Sequence, residues 1–154
     1  MNLFYSKINA PFNNTIKTEI YGLKNNWKKD LNNVKALTSG FRPNYLFFDI
    51  LHKQLIDKLY ENTKIKYKVS CWWANFYKTG HSALPHHHKP EEISSIIFIK
   101  SSKENPLYFK ENENLFRIFE TDGLVLFFDS SAIHGVDICK EERITLAVDF
   151  IKSI

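Results

Sequence analysis

The chain has 154 residues, enough for one domain around one apolar core and too few for two. Hydrophobic residues make up 44% and charged residues 25%, a balance that excludes a disordered chain. Lys and Arg outnumber Asp and Glu by 21 to 17, but they are scattered instead of gathered in a stripe with interleaved aromatics, which argues against a nucleic-acid binder.

The first twenty residues carry no decisive period, although an edge strand fits them. The N-terminal MNLFYSKINAPF lacks the basic start and long apolar stretch of a secretory signal. Residues 25–37, NNWKKDLNNVKAL, predict a helix that stops at Gly40 and turns its lysines to solvent. Residues 43–62, PNYLFFDILHKQLIDKLYEN, predict a second helix starting near Pro43 and Asn44. Its apolar face is Phe47, Ile50, Leu51, Leu55 and Leu59, spaced three and four residues apart.

Near residue 65 the period changes. Residues 66–77, 93–100, 106–111, 115–120, 123–128 and 143–151 are short runs rich in β-branched and aromatic residues, separated by turn-prone clusters. Close-spaced strands without intervening helices predict an antiparallel sandwich or barrel. The longest strongly apolar run, GLVLFF, is far short of the ~20 residues that cross a bilayer. Residues 1–154 are thus expected to form one cytoplasmic domain, with 1–65 a mostly helical cover and 66–154 the β core. Cys71 and Cys139 are expected as free thiols.

Four of the six histidines fall in one window, GHSALPHHHKPEE. On an extended chain side chains alternate, so His86 and His88 point one way and His87 the other. Two imidazoles on one side of a strand are half a metal site, and His134, just beyond the apolar GLVLFF run, is the candidate third ligand. His52, His81 and His87 are expected to take no part. Imidazole suits iron, zinc, copper and nickel alike, so the ligands alone do not choose the metal. Farther along, Arg143 and Thr145 share one side of the last strand. A guanidinium fork beside a hydroxyl is a receptor for a carboxylate; the plainer reading of Arg143 is an ion pair with Glu141 or Glu142.

In their order and spacing these residues resemble the iron(II)- and 2-oxoglutarate-dependent oxygenases, over about residues 71–151. Trp73, Asn75, Tyr77 and Gly80 look like the W-x-N-x-Y-x-x-G strand that leads into the metal motif. His86-x-His88 follows, then Ile93 and Ser94, and Gly123 stands before His134. Arg143 and Thr145 resemble the R-x-S/T pair. The resemblance implies a double-stranded β-helix, a cupin-like jelly roll with N-terminal helices (α+β). It implies iron(II) on His86, His88 and His134, with the co-substrate 2-oxoglutarate held at its far end by Arg143 and Thr145, and Asn75 and Tyr77 beside it. The implied reaction is oxidation, typically hydroxylation, of an unidentified small-molecule or peptide substrate with release of succinate and carbon dioxide.

Departures from the pattern bear on this. His88 stands where relatives carry a carboxylate, so the metal would keep more positive charge; Glu91 or Glu92 is the alternative oxygen ligand. Asp129 and Ser131 fall where relatives often have Pro and Trp. A cupin is the rival: Gly80, His86, His88 and Glu92 fit the first cupin motif, but Ile99 and the surroundings of His134 do not fit the rest. Arg143 with Thr145 separates the two, because a cupin does not need them. A jelly roll with a vestigial pocket is the third reading.

Overall fold

The computed structural model describes residues 3–29 and 33–154. Strand β1 (Leu3–Lys7) leads into helix α1 (Ala10–Leu23). Asn9 caps α1 by accepting a hydrogen bond from the Phe12 amide, and Pro11 sits in the first turn, where its missing N–H costs nothing. Ile16 and Ile20, four residues apart, are fully buried. Asn13 fastens the helix to the sheet beneath by donating to the Ile99 carbonyl at 3.0 Å.

The helix expected over residues 25–37 is therefore not there; the helix lies upstream. Among the described residues, that stretch holds one 3-10 turn (Lys24–Asn26) and short strands β2 (Lys28–Lys29), β3 (Val34–Lys35) and β4 (Leu37–Thr38), while residues 30–32 lie outside the described part. The reason is tertiary. β4 pairs with a long central strand and with β2, and β3 pairs in the other sheet, so sheet edges capture a segment whose asparagines give weak helix propensity.

Helix α2 (Phe48–Thr63) begins several residues after Pro43. Residues before it are held in a turn by tertiary contacts, since the Trp72 indole donates to the Pro43 carbonyl and Tyr45 stacks on Phe48. Leu51, Leu55 and Leu59 form the buried face, as their spacing predicts, together with Phe48, whereas Ile50 is exposed.

The remaining strands are β5 (Tyr67–Tyr77), β6 (Ser82–His86), β7 (Ile93–Lys100), β8 (Leu107–Glu111), β9 (Asn114–Arg117), β10 (Leu124–Asp129), β11 (Ile133–Val136) and β12 (Arg143–Lys152). They form two antiparallel sheets, in the orders β1-β10-β7-β12-β5-β4-β2 and β3-β6-β11-β8-β9. This is the jelly-roll, double-stranded β-helix arrangement: a larger sheet backed by the two helices and facing a smaller sheet. Two apolar clusters result. One, with Ile16, Leu51, Phe76, Ile97, Phe127, Leu146 and Phe150, fills the layer between helices and larger sheet. The other, with Phe98, Phe109, Leu126, Phe128 and Val136, lies between the sheets.

Gly123 opens β10 with a φ of 84°, which an L side chain rarely adopts, and the Ile8 carbonyl lies where its Cβ would stand. Gly135 on β11 lets the Tyr108 hydroxyl and the Ala83 carbonyl close in, so β11 sits tightly between β6 and β8 immediately beside His134.

Candidate metal centre

Antiparallel pairing brings the histidines together. His134 on β11 stands directly across from His86 on β6. His88 lies two residues beyond β6, and its backbone N–H bonds the Ser130 carbonyl at 2.8 Å, which ties that turn to the end of β10. The ring centroids are 4.5 Å apart for His86 and His134, 4.8 Å for His88 and His134, and 5.4 Å for His86 and His88. One ligand atom from each ring falls within 4.8 Å of the others, the reach of one bound cation.

Their hydrogen bonds decide which nitrogen faces that point. His86 Nδ1 meets the Leu84 carbonyl at 2.6 Å, and His134 Nδ1 meets the Ala132 carbonyl at 3.0 Å. His88 Nδ1 meets the Asp149 carboxylate at 2.9 Å. All three partners are acceptors, so in the neutral form each ring has its proton on Nδ1 and its lone pair on Nε2. Burial, then the adjacent His88 and His86, hold the His134 imidazole well below its ordinary pKa and hence neutral, the form a cation requires. Phe128 and Phe109 wall the His134 ring at 5.0 and 5.7 Å, and Trp73 packs against His88 at 5.2 Å. His81 and His87 accept local backbone N–H bonds, and His52 packs on Trp72 along α2, away from the cluster. Glu92 pairs with Lys152, and neither Glu91 nor Glu92 joins the group.

Inward from the histidines, Asn75, Tyr77, Thr145 and Arg143 line a narrow cavity of about 30 Å³. Arg143 is completely buried. Its partner is neither Glu141 nor Glu142, which bond Ser102 and Lys100 respectively. Instead Arg143 Nη1 donates to both carboxylate oxygens of Glu120, at 2.6 and 2.5 Å, and the amides of Ser102 and Leu107 complete the bonding of that carboxylate. Among the described residues, Arg143 Nε and Asn75 Oδ1 find no hydrogen-bond partner although both are buried. Tyr77 lies beneath the guanidinium, with its ring centroid 5.6 Å from Cζ.

Outward, the histidines open on a groove of about 710 Å³ between Thr38, Phe41, Trp73, His87 and Glu91. Trp73 forms part of this wall. Cys71 and Cys139 are free thiols. No helix among the described residues is long and apolar enough to cross a membrane.

Two residues of this region escaped the sequence reading. Asp149 continues the alternation that puts Arg143 and Thr145 on one side of β12, so counting in twos would have found it. Glu120 leaves no such trace, because it follows β9 in an irregular segment and reaches Arg143 only through the fold.

A double-stranded β-helix with a three-histidine centre at its mouth is the class that fold and site define. No family model matches the sequence, and no curated protein does either. Solved structures do match in shape. A Pseudomonas putida prolyl-4-hydroxylase superposes with a TM-score of 0.78 over 99% of this chain and 93% of its own, at 11% identity. The viral collagen prolyl hydroxylase of Paramecium Bursaria Chlorella virus-1, solved as its 2-oxoglutarate complex, gives 0.72 over 100% and 97%, also at 11% identity. A Trichoplax adhaerens prolyl hydroxylase, in complex with a hypoxia inducible factor peptide fragment, gives 0.78 over 97% and 83% at 10% identity. What is shared at such identity is the fold.

Proposed function

We propose that the protein is a non-haem iron(II)- and 2-oxoglutarate-dependent oxygenase of the superfamily that these folds represent. The observation that carries the reading is the convergence of three Nε2 lone pairs at the barrel mouth, each fixed by an acceptor behind Nδ1. In this reading His86, His88 and His134 hold iron(II). Arg143 and Thr145, with Asn75 and Tyr77 alongside, hold 2-oxoglutarate. Glu120 occupies Nη1 of the guanidinium but leaves Nε unpartnered, so that edge can still meet a carboxylate. When bound, the metal and co-substrate would supply the oxidising chemistry: dioxygen is consumed, one oxygen atom going to succinate as 2-oxoglutarate loses carbon dioxide and the other to the substrate. The chain's own work is to orient the metal through its three rings, to pack Phe109 and Phe128 against the His134 ring, and to offer the outer groove to substrate. That groove suits a peptide or a small molecule laid beside Phe41 and Trp73.

Two observations favour a second reading, a cupin-like metal centre that works without 2-oxoglutarate. The Arg143 charge is already balanced by Glu120, and the inner cavity has room for about one water. Anaerobic titration with iron(II) and then 2-oxoglutarate separates the two. A visible charge-transfer band on adding 2-oxoglutarate, lost in Arg143→Met, is the expected result. Tight iron binding with no band gives the second reading, and no metal binding leaves a jelly-roll binding module.

A further inference from the structure

We propose that Asp149 is a positioning residue of the metal centre: an anion set one ring behind the metal, acting through His88. The inference rests on the three histidines being a metal site, but not on the co-substrate.

Three neutral imidazoles bring no negative charge to a divalent cation. Asp149 supplies one close by. Among the described residues it is the carboxylate bonded to a ring of the cluster, and it is almost wholly buried, at 4% exposed. A buried carboxylate must be paired or hydrogen-bonded to exist. Here its Oδ1 accepts from His88 Nδ1 at 2.9 Å and from the Ser94 hydroxyl at 2.6 Å. Ser94 also bonds the Ser130 hydroxyl at 2.8 Å, and the Ser130 carbonyl accepts the His88 backbone N–H. The chain thus closes a ring of hydrogen bonds from His88 through Asp149, Ser94 and Ser130 back to His88, drawn from four separate segments. Behind His134 the Nδ1 partner is a near backbone carbonyl, that of Ala132, and not a charged group.

A structural role alone would not need a charge there. Asp149 shares the inner face of β12 with Ala147, Thr145 and Arg143, and a Leu or Val at 149 would need none of the hydrogen bonds that the carboxylate takes from His88 and Ser94. A carboxylate behind an imidazole fixes its tautomer, stops it rotating and strengthens Nε2 as a donor. Position on β12 serves this too. The strand register shifts between Asp149 and Phe150, so β12 turns where the carboxylate meets His88.

The test is titration of the metal-free protein with cobalt(II), read by its visible absorption, with no 2-oxoglutarate present. Asp149→Asn keeps the size and an acceptor but removes the charge. It should weaken cobalt binding about tenfold to a hundredfold and shift the absorption bands. In His88→Asp the ring through which Asp149 acts is gone, so there Asp149→Asn should cost far less cobalt affinity than it does in the wild-type protein. A purely structural Asp149 costs the same in both backgrounds, and either that result or no effect in both overturns the inference. Ser94→Ala, which loosens Asp149 from the other side, should cost severalfold; if Asp149→Asn fails to fold, unchanged cobalt affinity and spectrum in Ser94→Ala overturn the proposal instead. Wild-type protein that takes up no cobalt removes the metal centre and this inference together, whereas an oxygenase assay that fails with cobalt binding intact touches only the co-substrate.

Discussion

Along β12, Ile144, Leu146, Val148 and Phe150 face the helices, while Arg143, Thr145, Ala147 and Asp149 face the smaller sheet; one strand thus shows two chemistries at equal burial. The outer face gains from every residue it hides, at roughly 1.5–3 kcal/mol for each large apolar side chain. The inner face hides a guanidinium, a hydroxyl and a carboxylate, and burial of such groups is unfavourable until each is bonded. Glu120 satisfies one and His88 with Ser94 another, yet Arg143 Nε and Asn75 Oδ1 are left over. Stability explains the outer face. The inner face keeps polar groups that stability would discard, which marks it as the working surface.

The largest effect that sharpens this contrast should come from the mouth of the barrel. His134→Ala should abolish metal uptake, and with it any metal-dependent activity, while the metal-free protein still folds, at a stability cost no larger than that of another buried ring truncated to Ala, since no buried charge is orphaned. A large drop in thermal stability without loss of metal binding would break the contrast.

Glu120→Ala comes next. It strips the fully buried Arg143 of its charged partner, and should cost about 3–5 kcal/mol by denaturant titration. Glu120→Gln combined with Arg143→Met keeps an acceptor for the Ser102 and Leu107 amides and removes both charges. Most of the stability should return, whereas binding of 2-oxoglutarate should not. On the outer face Leu146→Ala should cost about 2–5 kcal/mol through lost transfer and cavity. Metal affinity should be unchanged, because the side chain faces α2 and not the histidines.

The contrast also explains how much could be read beforehand. Alternation fixes which residues of a strand share a side, so the pairing of Arg143 with Thr145 was open to inspection; His86 and His88 also meet, but β6 ends at His86 and the turn held by Ser130 brings His88 in. The core strands and the Leu51, Leu55, Leu59 face of α2 were equally legible, since each follows from a local period. What local period cannot give is who captures a segment. Val34–Lys35 and Leu37–Thr38 became strands because sheet edges were waiting for them. Helix α1 was missed because its signals, Asn9, Pro11 and the Ile16–Ile20 pair, are few in a polar stretch. Glu120 meets Arg143 by virtue of the fold alone, whereas local sequence offers only Glu141 and Glu142 as alternative partners.

The smallest effect is the most specific to the inner face. Thr145 stands between Asn75 on β5 and Phe98 on β7, at 5% exposed, with its side chain on the cavity that holds Arg143. Thr145→Val replaces the hydroxyl by a methyl of nearly the same volume on a strand that favours β-branched residues, so packing and unfolding should hardly change. If the hydroxyl donates to a co-substrate carboxylate, its loss removes one hydrogen bond worth about 1 kcal/mol, which is about fivefold in the apparent affinity for 2-oxoglutarate. Iron affinity without co-substrate should stay as it was, because Thr145 touches none of the three rings. A fivefold loss confined to 2-oxoglutarate places the co-substrate against β12. Equal titrations for both proteins would instead leave Arg143 and Glu120 as a buried pair that only braces the two sheets, and the metal centre as a cupin-like one.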